Sequence, residues 1–270
     1  MDVVCVGDCG VDLYLPSGER LFGGITANVA RHARREFDED DSVCIVSCIG
    51  DDKGGELVLS SLQGSGIECD IERLAGRTPV QTIEILPDGE KHFTHYDEGV
   101  LRDFRFTTSQ TARIAASDLM VAPVYLQIVG LFDELMAIDT RGRVAIDFAD
   151  FLQHPDVDLL DRHIERIDIG FFGLGSEDRD MIDAIADRAA AHDKLFVVTL
   201  GADGSIACHR DEQIAIPAVP VNQVVDTTGA GDAYAAGFLS RLSRGAGIQE
   251  SMDRGAELAA RVIGTLGSQA

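Results

Sequence analysis

The fold of this chain is indicated most strongly by Asp226-Thr227-Thr228-Gly229-Ala230-Gly231-Asp232, a stretch that runs directly into an apolar helical segment, Ala230 to Leu242. Small residues allow the backbone to approach a ligand closely, and the free N–H groups and positive dipole end of a helix start favour anions. Asp232 lies in the first helical turn, where a carboxylate beside a bound anion could steer a cation and accept a proton. An ordinary helix start with a first-turn acid has the same pattern, so the stretch alone leaves both interpretations open.

Two other nucleotide-binding fingerprints are excluded. A G-x-G-x-x-G motif is not completed here, because Tyr234 stands where its last glycine would be. The P-loop pattern G-x-x-x-x-G-K-[ST] occurs nowhere in the chain. A dinucleotide oxidoreductase is disfavoured as well, since no glycine fingerprint follows the first predicted strand.

A second glycine-rich turn, Gly23-Gly24-Ile25-Thr26-Ala27-Asn28, opens the first predicted helix. Paired glycines suit the close approach of a ligand, and Asn28 could hydrogen-bond sugar hydroxyls; an ordinary glycine turn before a helix is an equally good interpretation. Asp8 and Asp12 follow the first predicted strand, at the carboxyl end where open α/β sheets bind ligands. A capped turn would place acids there too.

Strand-like and helical segments alternate along most of the chain. This alternation predicts a parallel sheet with helices on both faces, in one domain over residues 1–270. The predicted strands are Val3–Val6, Val43–Ile49, Leu119–Ala122, Val144–Phe148, Ile167–Phe171 and Leu195–Leu200, and the last two helices are Ala230–Leu242 and Gln249–Leu266. Between the second predicted helix, Gly55–Leu62, and residue 118 the pattern changes to three strand-like segments: Asp70–Leu74, Val80–Leu86 and Lys91–Tyr96. The last two are joined by a turn at Pro87-Asp88-Gly89, and the three segments predict a small inserted antiparallel sheet.

Composition excludes several classes of partner. The chain has 270 residues and a formal net charge of −23, from 46 Asp and Glu against 23 Lys and Arg. Such a surface repels nucleic acid and anionic membranes, so neither is an expected partner. No uncharged apolar run approaches the ~18 residues of a membrane-spanning helix, and the first residues lack the basic start of a signal peptide. We therefore expect a cytoplasmic protein.

The six cysteines are predicted to be buried thiols. Cys5 and Cys9, like Cys44 and Cys48, stand four positions apart in strand-like text. An extended segment would hold each pair roughly 13 Å apart, which is too far for a disulfide or a shared zinc ion.

The two glycine-rich motifs together resemble the PfkB (ribokinase-like) family of carbohydrate kinases, over essentially the whole chain. The resemblance implies a ribokinase-like three-layer α/β/α sandwich with a mostly parallel central sheet. It also implies a small β-sheet lid, formed by about 12–23 and 70–98, that often clasps a homodimer. The implied activity is the ATP- and Mg²⁺-dependent phosphorylation of a sugar hydroxyl.

The resemblance also implies roles for individual residues. Asp232 matches the catalytic base, and the amides of Gly229, Ala230 and Gly231 match the anion hole. The positions that match sugar-binding residues are Asp12, Gly23, Gly24 and Asn28, and those that match the ATP site are Thr199, Gly201 and Gly204. Asp226 and Thr228, with Gly267 as a further candidate, match a monovalent-cation site that would take K⁺. Glu177 matches the magnesium-directed acid of an N-x-x-E motif, whose Asn is replaced here by Leu174.

Shorter stretches resemble the deglycating branch of the family, the fructoselysine kinases. They are residues 6–14, 98–104 and 146–150, and they add Glu98 and Asp8 as expected substrate contacts, with Asp8 facing a substrate amine. The implied reaction is phosphorylation of a primary hydroxyl, at C6 of a fructosamine. Ribose, fructose, a keto-deoxy sugar acid or a nucleoside such as adenosine remain alternative acceptors, and Tyr14, Phe93 and Tyr96 could clamp a nucleobase. A non-catalytic sugar or nucleotide sensor is a further alternative, although a sensor has no need of a base.

Overall fold

The structure is a computed structural model that describes residues 1–86, 91–149, 151, 153 and 155–268. Its strands are β1 (Asp2–Val6), β2 (Gly10–Leu15), β3 (Glu19–Gly23), β4 (Ser42–Gly50), β5 (Glu68–Leu74), β6 (Val80–Ile85), β7 (Lys91–Asp97), β8 (Leu119–Val124), β9 (Arg143–Phe148), β10 (Ile169–Gly173), β11 (Leu195–Thr199), β12 (Ser205–His209) and β13 (Glu212–Ile216). Its α-helices are α1 (Ile25–Glu36), α2 (Lys53–Leu62), α3 (Thr108–Ala116), α4 (Val129–Met136), α5 (Val157–His163), α6 (Arg179–Ala191), α7 (Ala230–Ser243) and α8 (Ile248–Val262). No described helix combines the length and the hydropathy that crossing a lipid bilayer requires.

A large sheet organises the molecule. Within the described residues it has nine strands in the order β13-β12-β11-β10-β9-β8-β1-β4-β5. The seven strands from β11 to β5 run parallel, and β12 and β13 continue one edge in antiparallel pairing. The predicted mostly parallel sheet is confirmed. The β12–β13 hairpin was not foreseen, because its short strands follow the predicted nucleotide loop without a separate turn signal.

Alternate residues of the central strands face two separate apolar cores. In β1, Val3 and Cys5 pack with α1, α2, α7 and α8, whereas Val4 and Val6 pack with α3, α4, α5 and α6. A parallel sheet must be covered on both faces, because both sets of its side chains are apolar. The expected three-layer α/β/α sandwich is therefore confirmed.

A second, small sheet has the order β3-β2-β6-β7. The hairpins β2–β3 and β6–β7 are antiparallel, and β2 joins β6 in parallel. The stretch between β1 and α1, which showed no clear strand pattern, therefore supplies half of this sheet. The predicted turn at Pro87-Asp88-Gly89 lies outside the described residues.

The assignment of residues 70–74 to the small sheet is wrong. They belong to β5, which pairs in parallel with β4 along the edge of the large sheet, from Cys44↔Glu68 to Gly50↔Leu74. The strand is only half-buried, since an edge strand has neighbours on one side. Its mixed polar and apolar text is typical of an edge strand in either sheet, so periodicity could not assign it.

Five of the six cysteines are buried thiols, as predicted. Cys5, Cys9, Cys44, Cys48 and Cys208 are buried and unpaired, and Cys69 is an exposed thiol on β5, contrary to the expectation of burial. Burial raises the pKa of Cys44 and Cys208 to about 11 and that of Cys48 to about 12. These buried side chains are therefore protonated and unreactive in the folded protein.

Candidate active site

A cavity of about 760 Å³ lies between the carboxyl ends of the central strands and the small sheet. From the large sheet its wall includes Asp147 on β9 and Thr199 at the end of β11, and from the small sheet it includes Asp12 and Gln81. The glycine-rich starts of α1 and α7 meet in the same wall. The cavity thus joins the two sequence motifs that were predicted to form one site.

The start of α7 is built around two glycines with different constraints. Gly229 is the N-cap in a left-handed conformation, φ 80°, and a Cβ there would lie 2.5 Å from the Cβ of Ser268. Only glycine tolerates both conditions. Gly231 lies in the cavity wall, where an added Cβ would meet no heavy atom within 4 Å. The N-cap has no side chain that could accept from the first amides of α7, and of these amides Ala230 N donates to Thr227 O at 3.3 Å.

Asp232 is held by a short chain of hydrogen bonds that reaches two distant parts of the sequence. Asn28 Nδ2, on α1, donates to Asp232 Oδ2 at 2.8 Å, and Ser268 Oγ donates to Asn28 Oδ1 at 2.6 Å. All three side chains are buried, with Asp232 7% exposed at the cavity wall. Because Ser268 is a donor to the amide oxygen, it fixes which end of the Asn28 amide faces the carboxylate.

Asp226, at the other end of the motif, is fully buried and accepts four hydrogen bonds. Thr228 N and Oγ1 donate to Oδ1 at 2.8 and 2.6 Å, and Tyr14 OH and Gly267 N donate to Oδ2, each at 2.8 Å. Burial would raise the pKa of Asp226, but these four donors hold it below the ordinary value. A carboxylate has about four lone-pair sites, so this donor set does not fit a ligand of K⁺.

The first turn of α1 shows the opposite arrangement. Its N-cap is Gly24, φ 103°, and the two oxygens of Asp8 accept from Ile25 N and Thr26 N, both at 3.1 Å. Burial raises the pKa of Asp8, and the backbone bonds from Thr26 and Ile25 only partly oppose this effect. Asp8 lies in the cavity wall. It therefore caps the helix and also places its carboxylate beside the site.

Asp12 depends on a glycine of the neighbouring strand. It lies on β2, 4% exposed and in the cavity wall. A Cβ at Gly23, on the paired strand β3, would come within 2.3 Å of its carboxylate. Gly23 thus makes room for Asp12 rather than touching the cavity itself, whereas Gly24, Asn28, Thr199, Gly201 and Thr228 are all in the wall.

Six predicted site residues are not in the cavity wall: Gly23, Glu98, Glu177, Gly204, Asp226 and Ala230. The Glu98 carboxylate pairs with Arg102 at 2.9 Å. Gly204 lies in the turn between β11 and β12 with φ 98°, and an added Cβ there would lie 2.0 Å from Ile216 O, so the glycine serves the turn. Their roles in binding remain predictions from the resemblance.

Glu177, the expected magnesium-directed acid, is another of these residues. It is exposed, and its carboxylate lies against Gly175, while Leu174 takes the position of the missing Asn and is buried in the cavity wall. In the part of the chain that the structure describes, no group of three His, Cys, Asp or Glu side chains could hold a metal ion. Mg²⁺ in phosphoryl transfer is held largely by phosphate oxygens, water and one or two carboxylates, which the wall aspartates offer.

Sequence reasoning missed several residues of the site. Asp147 was not singled out as a ligand, and Ser268 and the hydroxyl of Tyr14 gave no local signal because their partners are 240 and 212 positions away. Tyr125 also lies in the wall, where its hydroxyl is 2.9 Å from that of Tyr96 and the two rings meet edge to face. Of the three residues proposed as a nucleobase clamp, Phe93 and Tyr96 line the cavity and Tyr14 faces Asp226 instead.

Comparison with known proteins agrees with this architecture. The profile of the pfkB family carbohydrate kinases matches residues 2–140 and 150–270. A fructoselysine 6-kinase of Shigella flexneri is 30% identical over 262 residues, which cover 96% of this chain and 95% of that protein. An adenosine kinase from Sinorhizobium meliloti superposes with a TM-score of 0.82 at 22% identity, covering 100% of this chain and 95% of that one. A ribokinase from Thermotoga maritima gives a TM-score of 0.77 at 20% identity, covering 100% and 94%.

The architecture is thus ribokinase-like. The chain belongs to the pfkB family of carbohydrate kinases. It is accordingly an ATP-dependent carbohydrate kinase, and the family resemblance predicted from the two glycine-rich motifs is confirmed.

Proposed function

We propose that this kinase transfers the γ-phosphoryl group of Mg·ATP to the C6 hydroxyl of a fructosamine such as fructoselysine. The observation that carries the proposal is the charge of the cavity wall. It contains four aspartates and, among the described residues, neither Lys nor Arg; the four are Asp8, Asp12, Asp147 and Asp232. A substrate that carries an ammonium group fits such a wall, because an opposite charge offsets the desolvation of the carboxylates.

The proposed chemistry begins at Asp232. Its carboxylate accepts the proton of the C6 hydroxyl while the oxygen bonds to the γ-phosphorus, and the bond between that phosphorus and the bridging oxygen of ADP breaks. A positioned general base of this kind contributes typically ~10²–10⁴-fold to the rate. The products are ADP and the sugar 6-phosphate, with the proton on Asp232 released afterwards to water.

The start of α7 supplies the electrostatic part. Its amides from Gly229 to Gly231 and its dipole would stabilise the charge spread over the transferring phosphoryl oxygens. With a net charge of −23 the protein as a whole repels ATP, so the attraction must be local. Thr199 and Gly201, farther along the same wall, would approach the nucleotide.

The wall argues against one of the alternative substrates and for another. A keto-deoxy sugar acid adds negative charge, which a wall of carboxylates without Lys or Arg disfavours. A nucleoside such as adenosine is the second candidate, because the rings of Phe93, Tyr96 and Tyr125 line the cavity and could stack on a base.

A coupled assay of ADP release tests the proposal. We expect kcat/KM for fructoselysine to exceed that for fructose by about 100-fold or more, since one well-placed ionic contact contributes up to a few kcal/mol. Other fructosamines, ribose and adenosine complete the panel. Preference for adenosine or fructose contradicts the proposal, and binding without ADP release from any substrate favours a sensor.

The contribution of Asp8 and Asp147 to substrate binding can be separated from that of the net charge of the protein. Asp8→Asn and Asp147→Asn should each raise KM for fructoselysine about tenfold and leave KM for fructose nearly unchanged. Asp139→Asn is the matched control, because Asp139 is 99% exposed and lies outside the cavity wall. An unchanged KM for fructosamines in both variants rules out amine recognition by these side chains.

We also infer a homodimer formed through the small sheet. Within the described residues β3 and β7 end the order of this sheet, and open strand edges favour pairing. Leu15 and Phe93 of the sheet and the neighbouring Leu86 are 37%, 50% and 42% exposed. Light scattering on Phe93→Glu should then give a monomer where the unchanged protein gives a dimer; a wild-type monomer contradicts the inference.

A further inference from the structure

We propose that Tyr14 is a positioning residue that takes, at Asp226, the place of a monovalent cation, so that this kinase does not require K⁺. The inference rests on the proposed phosphoryl transfer only for its activity readout. It concerns the carboxylate of Asp226, where the family resemblance implies a cation site, and it starts from the donors that this chain places there.

The carboxylate of Asp226 is already fully occupied by hydrogen-bond donors. Asp226 is 0% exposed, and each of its oxygens accepts two hydrogen bonds of 2.6–2.8 Å. Hydrogen bonds to a carboxylate are strong, and four of them satisfy its lone pairs. A cation that bound Asp226 directly would have to displace at least one of these donors and leave it buried without a partner.

The hydrogen bond from Tyr14 to Asp226 connects the small sheet to the loop before α7. Tyr14 lies on β2 of the small sheet, 3% exposed and two positions after Asp12, whereas Asp226 begins the loop that leads to Gly229. The hydroxyl bond therefore ties the strand that carries a sugar-binding aspartate to the loop that carries the anion hole. Thr228 completes the tie from the loop side through its own amide and hydroxyl.

The negative charge of the buried Asp226 carboxylate must be stabilised either by a cation or by hydrogen-bond donors. In a cation site the positive ion would neutralise the buried carboxylate and order the loop. Here the same carboxylate is stabilised by donors alone, from two side chains and two backbone amides. Loop order at the anion hole thus depends on the Tyr14 hydroxyl.

The experiment compares K⁺ with tetramethylammonium at equal ionic strength, which cancels the general salt effect expected of a protein with a net charge of −23. The full-length wild-type protein should show the same melting temperature in both salts, because a bound ion would raise it. Initial rates with its best substrate should differ by less than about twofold.

Tyr14→Phe removes one donor from Asp226 and leaves a lone pair available. We expect kcat to fall about tenfold with little change in the KM for ATP, and K⁺ to restore part of both the rate and the melting temperature. Tyr234→Phe is the matched control, since Tyr234 also loses a buried hydroxyl bond, to Ser205 Oγ at 2.8 Å. This control should show no response specific to K⁺.

The outcomes are separable. A wild-type protein whose rate and melting temperature rise steeply in K⁺ but not in tetramethylammonium overturns the proposal, and so does a Tyr14→Phe variant with normal kcat and no K⁺ response. The wild-type titration needs no variant, so it decides the question even where Tyr14→Phe does not fold. The melting-temperature arm also needs no substrate, so failure of the fructosamine assignment leaves it intact.

Discussion

The helices α1 and α7 begin in the same cavity and treat their first amides in opposite ways. Both have a glycine N-cap without a side chain. At α1 the protein supplies the negative charge itself, because Asp8 accepts from the first two amides. At α7 no side chain caps the helix, and Gly231 lies in the cavity wall with open space in front of it. A helix start attracts negative charge from any source, so the capped end builds the fold and the uncapped end can receive a ligand's phosphate.

The largest expected effect is that of removing the carboxylate of Asp232, in the first turn of α7. Asp232→Asn should fold and bind ATP normally, because the amide oxygen can still accept the hydrogen bond from Asn28. Its kcat should fall by roughly 10²–10⁴-fold, since the general base is lost. Turnover measured by ADP release beside ATP affinity by calorimetry checks both parts, and near-normal turnover would remove Asp232 from the base role.

The two glycines at the open end should respond differently to the same methyl group. Gly231→Ala should melt like the wild type, yet lose activity by about tenfold to 100-fold, because the methyl group enters the space where phosphoryl oxygens approach the amides. Gly229→Ala should instead lose about 1–3 kcal/mol of folding stability, from its φ of 80° and its contact with Ser268. Chemical unfolding and steady-state kinetics on both variants test this, and full activity of Gly231→Ala would show that nothing binds there.

The capped end gives a prediction about stability and pH. Because burial raises the pKa of Asp8, the folded state holds this proton more tightly than the unfolded state. Wild-type stability should therefore fall as pH rises from the ordinary aspartate range through the folded pKa, and Asp8→Asn should lack this loss. The variant should be less stable by about 1 kcal/mol at acidic pH and by less at neutral pH. A deficit that grows toward neutral pH, in urea titrations, would show that the helix end outweighs burial.

The smallest effect concerns the bond that joins the two helix starts. Ser268→Ala removes the donor that orients Asn28 toward Asp232, so kcat should fall about threefold without a change in the KM for ATP. Ser205→Ala, which loses a bond to Tyr234, is the control and should leave kcat unchanged.

Most of the architecture could be predicted from the sequence, because it follows from local patterns. Apolar runs followed by helical stripes predicted the parallel sheet and its helices, and the two glycine-rich motifs were placed correctly at one cavity. β5 was assigned to the wrong sheet, since an edge strand has the same mixed pattern wherever it pairs. Glu98 was predicted as a substrate contact from a short stretch; its carboxylate pairs with Arg102, and its role in binding stays a prediction.

The contacts that orient the site could not be predicted. Tyr14 meets Asp226, and Ser268 meets Asn28, across more than 200 positions, and such pairs are set by tertiary packing rather than by spacing. The same holds for the charge of the cavity wall, which depends on Asp147 lying beside acids from another part of the chain.

The buried thiols make the two halves of the large sheet observable separately. Cys5 and Cys44 lie on the neighbouring strands β1 and β4, and Cys208 lies on β12 near the opposite edge. A thiol reagent reaches such groups only when the surrounding segment opens, so labelling rates followed site by site by mass spectrometry report local opening. The exposed Cys69 should react first and can serve as the internal standard. The labelling rates of Cys5 and Cys44, compared with that of Cys208, therefore report how often each half of the large sheet opens.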